Sequence, residues 1–382
     1  MARNIMAVVD LQFGSTGKGQ IAGTLAHKWD PDTVVTAWGP NAGHTFRNGE
    51  NSYISRMLAS SAIAPSVKDI LIGPGSVVDL DMLATEILDR GRRNLRGKRL
   101  VIHPQATILG ATDARNEADL VRIGSTMKGT AEAAIRKIRR TPEAVAKGRL
   151  REVVEKIGEA CFETGVSLAV SSVHYDRAID RAHNLLVEGA QGYSLGLHTD
   201  FYPHTTGRDV STSQLFADCR IPWTGKNTLP PVVIGTARTF PIRVANRYVE
   251  APDLNAEVGL GGIPPLKRIQ VGTSGGCYDD QEEISWDAVG KPVELTTVTQ
   301  LPRRVFTFSM QQIWEAARIC GPSYIALTFC DYLKDDEPFE LARKIHRTAG
   351  VPVRLMSFGP DMADVRKLDL LRYVALPWES WE

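Results

Sequence analysis

Cysteine is scarce in this chain. There are five, Cys161, Cys219, Cys277, Cys320 and Cys330, an odd number with no C-x-x-C pair. That argues against a disulfide framework or a zinc ribbon and suits a reducing, cytoplasmic setting. No run of about 18 apolar residues occurs, so no membrane span is expected. The N-terminal MARNIMAVVDLQFG holds only a short apolar stretch and reads as a first strand, not a signal peptide. Charge of one sign is missing too: 45 Lys+Arg stand against 44 Asp+Glu, for a net charge of +1. A dedicated duplex-DNA binder ordinarily carries a basic excess, so no nucleic-acid partner is expected, although a neutral total leaves room for a local basic pocket. Internal repeats, low-complexity segments and Gly/Ser or Pro linkers are also lacking. What remains is 382 residues, 43% hydrophobic and 23% charged, an ordinary globular composition that excludes wholesale disorder.

A strand–loop–helix rhythm dominates. Strands are expected over 5–11, 34–36, 69–73, 99–103, 184–188 and 324–328, with helices over 20–29, about 80–92 and 311–320. Short β segments fill 229–310. This pattern predicts an α/β fold with a large, mostly parallel central sheet flanked by helices and carrying inserted subdomains. We expect a single domain over 1–382, with a helix-rich insertion around 113–182 that includes the charge run Arg136-Lys-Ile-Arg-Arg140.

Four loops are candidates for chemistry. Gly14-Ser-Thr-Gly-Lys-Gly19 follows the first strand, where backbone N–H groups and a helix N-terminus suit an anion and Lys18 adds a point charge. The bland alternative is a plain turn. The spacing is not that of a Walker A motif. Gly39-Pro-Asn-Ala-Gly-His44 follows the second strand, at the sheet edge where open α/β folds bind ligands. His44 there suits a general acid or an oxyanion stabiliser, although a loop histidine alone is more often structural. Val187-Glu-Gly-Ala-Gln-Gly192 and Tyr202-Pro-His-Thr-Thr-Gly207 offer an amide for a purine and hydroxyls for a phosphate, or only turn chemistry. Glu294-Leu-Thr-Thr-Val-Thr-Gln-Leu-Pro-Arg-Arg304 suits a carboxylate, since arginine binds one in bidentate fashion; a bare Arg-Arg pair is more often solvated.

Taken together and in order, VVDLQFGSTGKG, GPNAGHT, LLVEGAQG, YPHTTG and the Thr/Arg loop resemble the adenylosuccinate synthetases over nearly the whole chain. The resemblance implies a homodimeric C–N ligase that uses a nucleoside triphosphate and Mg²⁺ to phosphorylate the 6-oxygen of a purine nucleotide. The amine of aspartate then displaces the phosphate. It implies that Gly14, Thr16, Gly17, Lys18, Gly19, Gly43, His44 and Thr45 hold the triphosphate. Asp331, Ser357, Gly359 and Pro360 would surround the donor base. Ser15, Asn41, Ser125, Thr126, Gln191 and Thr206 would hold the acceptor nucleotide, with Arg140 reaching into the partner subunit's site. Thr297, Val298, Thr299 and Arg303 would take aspartate, and Ser15 and Gly43 fall on the metal positions. Ser15, Lys18 and His44 would form the catalytic set.

Three departures from the family pattern narrow the reading. The usual first loop is Gly-Asp-Glu-Gly-Lys-Gly, whose Asp takes the N1 proton; here that position is Ser15, which is no comparable base. The ribose-side arginine is Leu301, which suits a 2′-deoxyribose. The donor-base motif Thr-Lys-x-Asp reads Thr328-Phe-Cys-Asp331. These features resemble the bacteriophage branch of the family, whose members join aspartate to dGMP with ATP or dATP. An IMP- and GTP-dependent synthetase and a silent purine-nucleotide-binding protein are the alternatives. The group that removes the N1 proton stays open among Thr16, water and a substrate phosphate. The roles of Arg238 and Arg243 are likewise open.

Overall fold

The computed structural model describes residues 3–223, 229–252, 266–296 and 300–368. Its central sheet has ten strands: β1 (Asn4–Asp10), β2 (Thr33–Thr36), β3 (Asp69–Ile72), β4 (Arg99–Ile102), β5 (Ser167–Val170), β6 (Asn184–Glu188), β7 (Val232–Arg238), β8 (Tyr324–Thr328), β9 (Val353–Ser357) and β10 (Val365–Lys367). Their spatial order is β10-β9-β8-β7-β1-β6-β2-β3-β4-β5. Every pairing is parallel except β10 against β9. β1 lies between β6 and β7, so the loops that follow these three strands meet at one edge of the sheet.

The inner strands read as near-continuous apolar runs because both faces are covered. Alternate residues of β1 serve opposite cores. Met6 and Val8 pack with Ile21 and Leu25 on one face; Ile5, Ala7 and Val9 pack with Ile179 and Ile313 on the other. The expected α/β architecture is present. One element differs: β5 lies inside the stretch read as a helical insertion and extends the sheet beyond β4. Its four residues are a short, half-exposed edge, with too little apolar periodicity to separate strand from helix. Among the described residues no helix is long and apolar enough to cross a membrane.

The first helix, α1 (Lys18–Trp29), starts from Gly17, whose φ of 77° is left-handed and favours glycine. It packs closely against the hairpin His44–Asn48/Asn51–Ser55. A Cβ on Gly23 would fall 2.2 Å from the Phe46 ring, and one on Gly19 would fall 2.7 Å from the Cβ of His44. Gly23→Ala is therefore expected to cost about 1–3 kcal/mol through overpacking. Urea denaturation checks this, and a loss near zero would show that the hairpin yields freely.

Candidate functional site

Three neighbouring strands in the middle of the sheet end in a buried charge: Arg238 on β7, Asp10 on β1 and Glu188 on β6. A buried charge needs a partner, and each of these has one. Asp10 organises the first loop. Its Oδ1 accepts the backbone N–H of Gln12 at 2.8 Å and of Gly14 at 3.3 Å. Its Oδ2 accepts the Thr16 hydroxyl at 2.5 Å and the Lys18 ammonium at 2.6 Å. Lys18 thus enters the site already paired and only 3% exposed, not as a free cation. The loop follows Asp10 through left-handed turns at Gly14 and Ser15 that leave Ser15 on the surface.

Glu188 holds His44. The imidazole Nδ1 lies 2.9 Å from Glu188 Oε1. The other carboxylate oxygen accepts the backbone N–H of Ser60 at 2.8 Å. A carboxylate only accepts, so Nδ1 carries the proton and Nε2 is left for a ligand. Trp38 packs on the ring at a centroid distance of 4.3 Å. Burial holds the imidazole below its ordinary 6.5; Glu188 opposes that shift and Lys18 reinforces it.

Two adjoining cavities open at this edge. The larger, of about 510 Å³, is lined by Asn41, Ser125, Thr126, Gln191 and Thr206, so five of the expected acceptor-nucleotide residues meet there. Within it, Gln191 donates to Asn41 Oδ1 at 3.1 Å and accepts from Arg208 Nη2 at 3.0 Å, which fixes its amide. Arg243 also lines this cavity. Its guanidinium lies over Phe13 at 4.4 Å and donates to the backbone carbonyls of His204 and Gly276. Burial, with the nearby Arg304, pulls its pKa down to about 9.

The smaller cavity, of about 80 Å³, is bordered by Ser15, Asn41, Gly43, Thr126, Leu301 and Arg303. The Ser15 hydroxyl accepts Arg303 Nη1 at 2.7 Å. This links the first loop to the arginine expected to bind a carboxylate. Leu301 stands beside them, as its place in the sequence requires. Thr297, Val298 and Thr299 lie outside the described residues.

The donor-base candidates gather on the other side of the first loop, after β8 and β9. Asp331 pairs with Lys291 at 3.4 Å. Ser357 donates to the Gly359 carbonyl at 2.8 Å, and the neighbouring Pro360 is exposed. Asp361 accepts the backbone N–H of Gly49, at the tip of the hairpin that carries His44 and Thr45. Arg140 is exposed at the end of the helix Thr130–Ile138 and lines neither cavity of its own chain. Ser15 and Gly43 could offer a metal only a hydroxyl, already bonded to Arg303, and a carbonyl. Mg²⁺ usually takes one or two carboxylates besides phosphate oxygens. Among the described residues no three His, Cys, Asp or Glu side chains are grouped so that they could hold a metal ion. This donor set does not by itself fit a magnesium site, and no step is assigned to the ion.

The family model for adenylosuccinate synthetase matches residues 7–163 and 149–349. The chain belongs to the adenylosuccinate synthetase family, a family of C–N bond-forming ligases. It is 39% identical over 374 residues to the N6-succino-2-amino-2'-deoxyadenylate synthase of Salmonella phage PMBT28, covering 94% of this chain and 96% of that one. The adenylosuccinate synthetase of Methanocaldococcus jannaschii is 28% identical over 372 residues, covering 93% and 94%. Among solved structures, the chain is similar to cyanophage S-2L succinoaminodeoxyadenylate synthetase bound to dGMP and to dATP as an energy donor. That match has a TM-score of 0.80 and 34% identity, and it covers 96% of each chain.

Sequence reasoning passed over Glu188 as the partner of His44, Arg208 as the clamp on Gln191, and the pairing of Arg238 with Glu294. A signal for two of these was present. NLLVE and VVIGTAR are apolar strands that end in a single charge, as does NIMAVVD, and a charge there must turn toward the ligand edge or be neutralised below it.

Proposed function

We propose that this synthetase-family chain joins L-aspartate to C6 of dGMP with ATP or dATP. The products are N6-succino-2-amino-2'-deoxyadenylate, ADP or dADP, and phosphate, on the way to 2-aminoadenine DNA. Free nucleotides as substrates suit the cytoplasm of an infected host, and a homodimer would let Arg140 serve the partner's site. The observation that carries the reading is Ser15 at the border of the small cavity, beside Leu301. A hydroxyl where relatives acting on IMP keep an acid leaves space for the 2-amino group. The apolar Leu301 suits a sugar without a 2′-hydroxyl, which asks for no partner. The phage relatives support this choice by name.

The chemistry runs in two displacements. First N1 gives up its proton, to Thr16, water or a substrate phosphate, and the purine 6-oxygen forms a bond to the γ-phosphorus as the β–γ bridge breaks. Then the aspartate amine forms the C6–N bond as phosphate leaves. A lactam oxygen is a poor leaving group and phosphate a good one. The polyanion at the first loop favours protonation of His44 at Nε2, while Glu188 keeps Nδ1–H in place. The imidazolium then offsets charge on the transferring phosphoryl group or the 6-oxygen. Gln191 and Asn41 present amides to the purine, and Arg303 takes an aspartate carboxylate.

Aspartate-dependent phosphate release tests the reading. Activity with dGMP and little with IMP is the expected result; the reverse preference returns the chain to the IMP reaction, and inactivity with both makes it a silent binder. Ser15→Asp is expected to lower dGMP turnover by roughly tenfold or more, through crowding at C2 and through an ion pair that captures Arg303. The aspartate KM should rise with it. An unchanged dGMP rate would remove Ser15 from the explanation.

A further inference from the structure

Arg238 ends β7 with its side chain 0% exposed. Its guanidinium lies over the Phe329 ring at 3.8 Å and donates to both carboxylate oxygens of Glu294, with Nη1 at 3.1 Å from Oε2. The same Nη1 lies 3.3 Å from the Ser15 carbonyl oxygen. Glu294 also accepts the Tyr332 hydroxyl at 3.0 Å and lies 4.0 Å from Arg303 Nε. One buried cation thus touches three segments at once: the first loop, the loop that carries Arg303, and the residues after β8 that carry Asp331.

Phe329 is held in place for this contact. Its φ of 57° is left-handed, a costly conformation for an aromatic residue, and its carbonyl accepts the Thr239 hydroxyl at 2.7 Å. The flat guanidinium both stacks on an aromatic face and fits a carboxylate in bidentate fashion, which a lysine ammonium does not. Burial pushes the Glu294 carboxyl up, but Arg238, Arg303 and Tyr332 more than offset this, so it stays ionised at neutral pH.

We propose that Arg238 is a positioning residue that, stacked on Phe329 and clamped to Glu294, aims Arg303 and so sets the affinity for the amino-acid carboxylate. It acts through Glu294 and does not touch the reacting atoms. The proposal rests on the reading of Arg303 as the aspartate arginine. It does not depend on which purine nucleotide is the acceptor, because aspartate is common to both candidate reactions.

The test is steady-state phosphate release, run with whichever acceptor the wild-type chain prefers and paired with thermal denaturation. Phe329→Leu keeps the bulk and removes the ring; at saturating nucleoside triphosphate the aspartate KM is expected to rise roughly tenfold, by a larger factor than the acceptor KM. Phe329→Tyr keeps the ring and should restore the wild-type aspartate KM. Tyr332→Phe removes one hydrogen bond to Glu294 and should raise that KM by about threefold. Glu294→Gln should raise it further. Should that variant fail to fold, the Phe329 pair and Tyr332→Phe still decide. A lower melting temperature with an unchanged aspartate KM in Phe329→Leu would overturn the proposal, leaving Arg238 as scaffold only. Preference of the wild-type chain for IMP would overturn the dGMP reading alone.

Discussion

Exchange of His44 for asparagine is expected to lower kcat by roughly 10²–10⁴-fold with modest change in either substrate KM. The asparagine amide occupies the place of Nδ1 and keeps a donor for Glu188, so the carboxylate is not orphaned. It offers nothing in place of Nε2. Single-turnover measurement of phosphoryl transfer checks this, and a variant within a few fold of wild type would exclude His44 from the chemistry. The same variant isolates a pH effect on stability. In the folded chain burial holds the imidazole below 6.5, against the pull of Glu188, so the unfolded chain takes up its proton first. Wild-type stability from this group is present above about pH 6.5 and is lost as pH falls below it. The asparagine variant lacks that component. Between pH 7.5 and 5.5 the wild-type melting temperature should therefore fall more than that of the variant.

Lys18→Ala is expected to cost about 3–5 kcal/mol of stability as well as activity. A lysine in a glycine-rich loop is usually thought of as a phosphate ligand alone. Here its ammonium neutralises Asp10, whose side chain is 0% exposed and holds the loop through two backbone N–H groups and Thr16. Removing the lysine leaves an uncompensated carboxylate in the middle of the sheet edge. The paired change Asp10→Asn with Lys18→Met should recover much of the stability, because neither charge is then left alone, but none of the activity. Urea denaturation of the two single variants and the double variant closes this cycle. A loss under about 1 kcal/mol in Lys18→Ala would mean that water replaces the ammonium without penalty.

The pairing explains how one loop serves two purposes. With Asp10 satisfied from below, the left-handed turns at Gly14 and Ser15 lift the Ser15 hydroxyl into reach of Arg303. An acid at that position would meet the same arginine as a full ion pair. On the proposed reading, the hydroxyl therefore matters beyond the room beside the purine: from this side it holds Arg303 by one hydrogen bond and not by an ion pair, which leaves the guanidinium's charge for an aspartate carboxylate.

Much was legible in the residues. The near-continuous apolar strands, the glycines at the first turn, and the motifs after strands one, two and six place the ligand edge without coordinates. Ser15, Leu301 and Phe329 are the departures from the family pattern on which the proposed choice of substrate rests. The edge strand Ser167–Val170 was not legible, because four half-exposed residues carry no periodic signal. The residues expected around the donor base were nameable only through motif order, since the one charged partner of Asp331 among the described residues, Lys291, lies 40 positions away in the chain.

Local chemistry written along the chain determined the strands, the glycine turns, the family and the serine that replaces an acid. The tertiary structure alone decided which charges meet. His44 finds Glu188 across 144 positions, Arg238 finds Glu294 across 56, and Arg303 finds Ser15 across 288. The reason is topological. Whether two strand-end charges share a site depends on which strands are neighbours, and β1 lies between β6 and β7 because of how the crossovers wind.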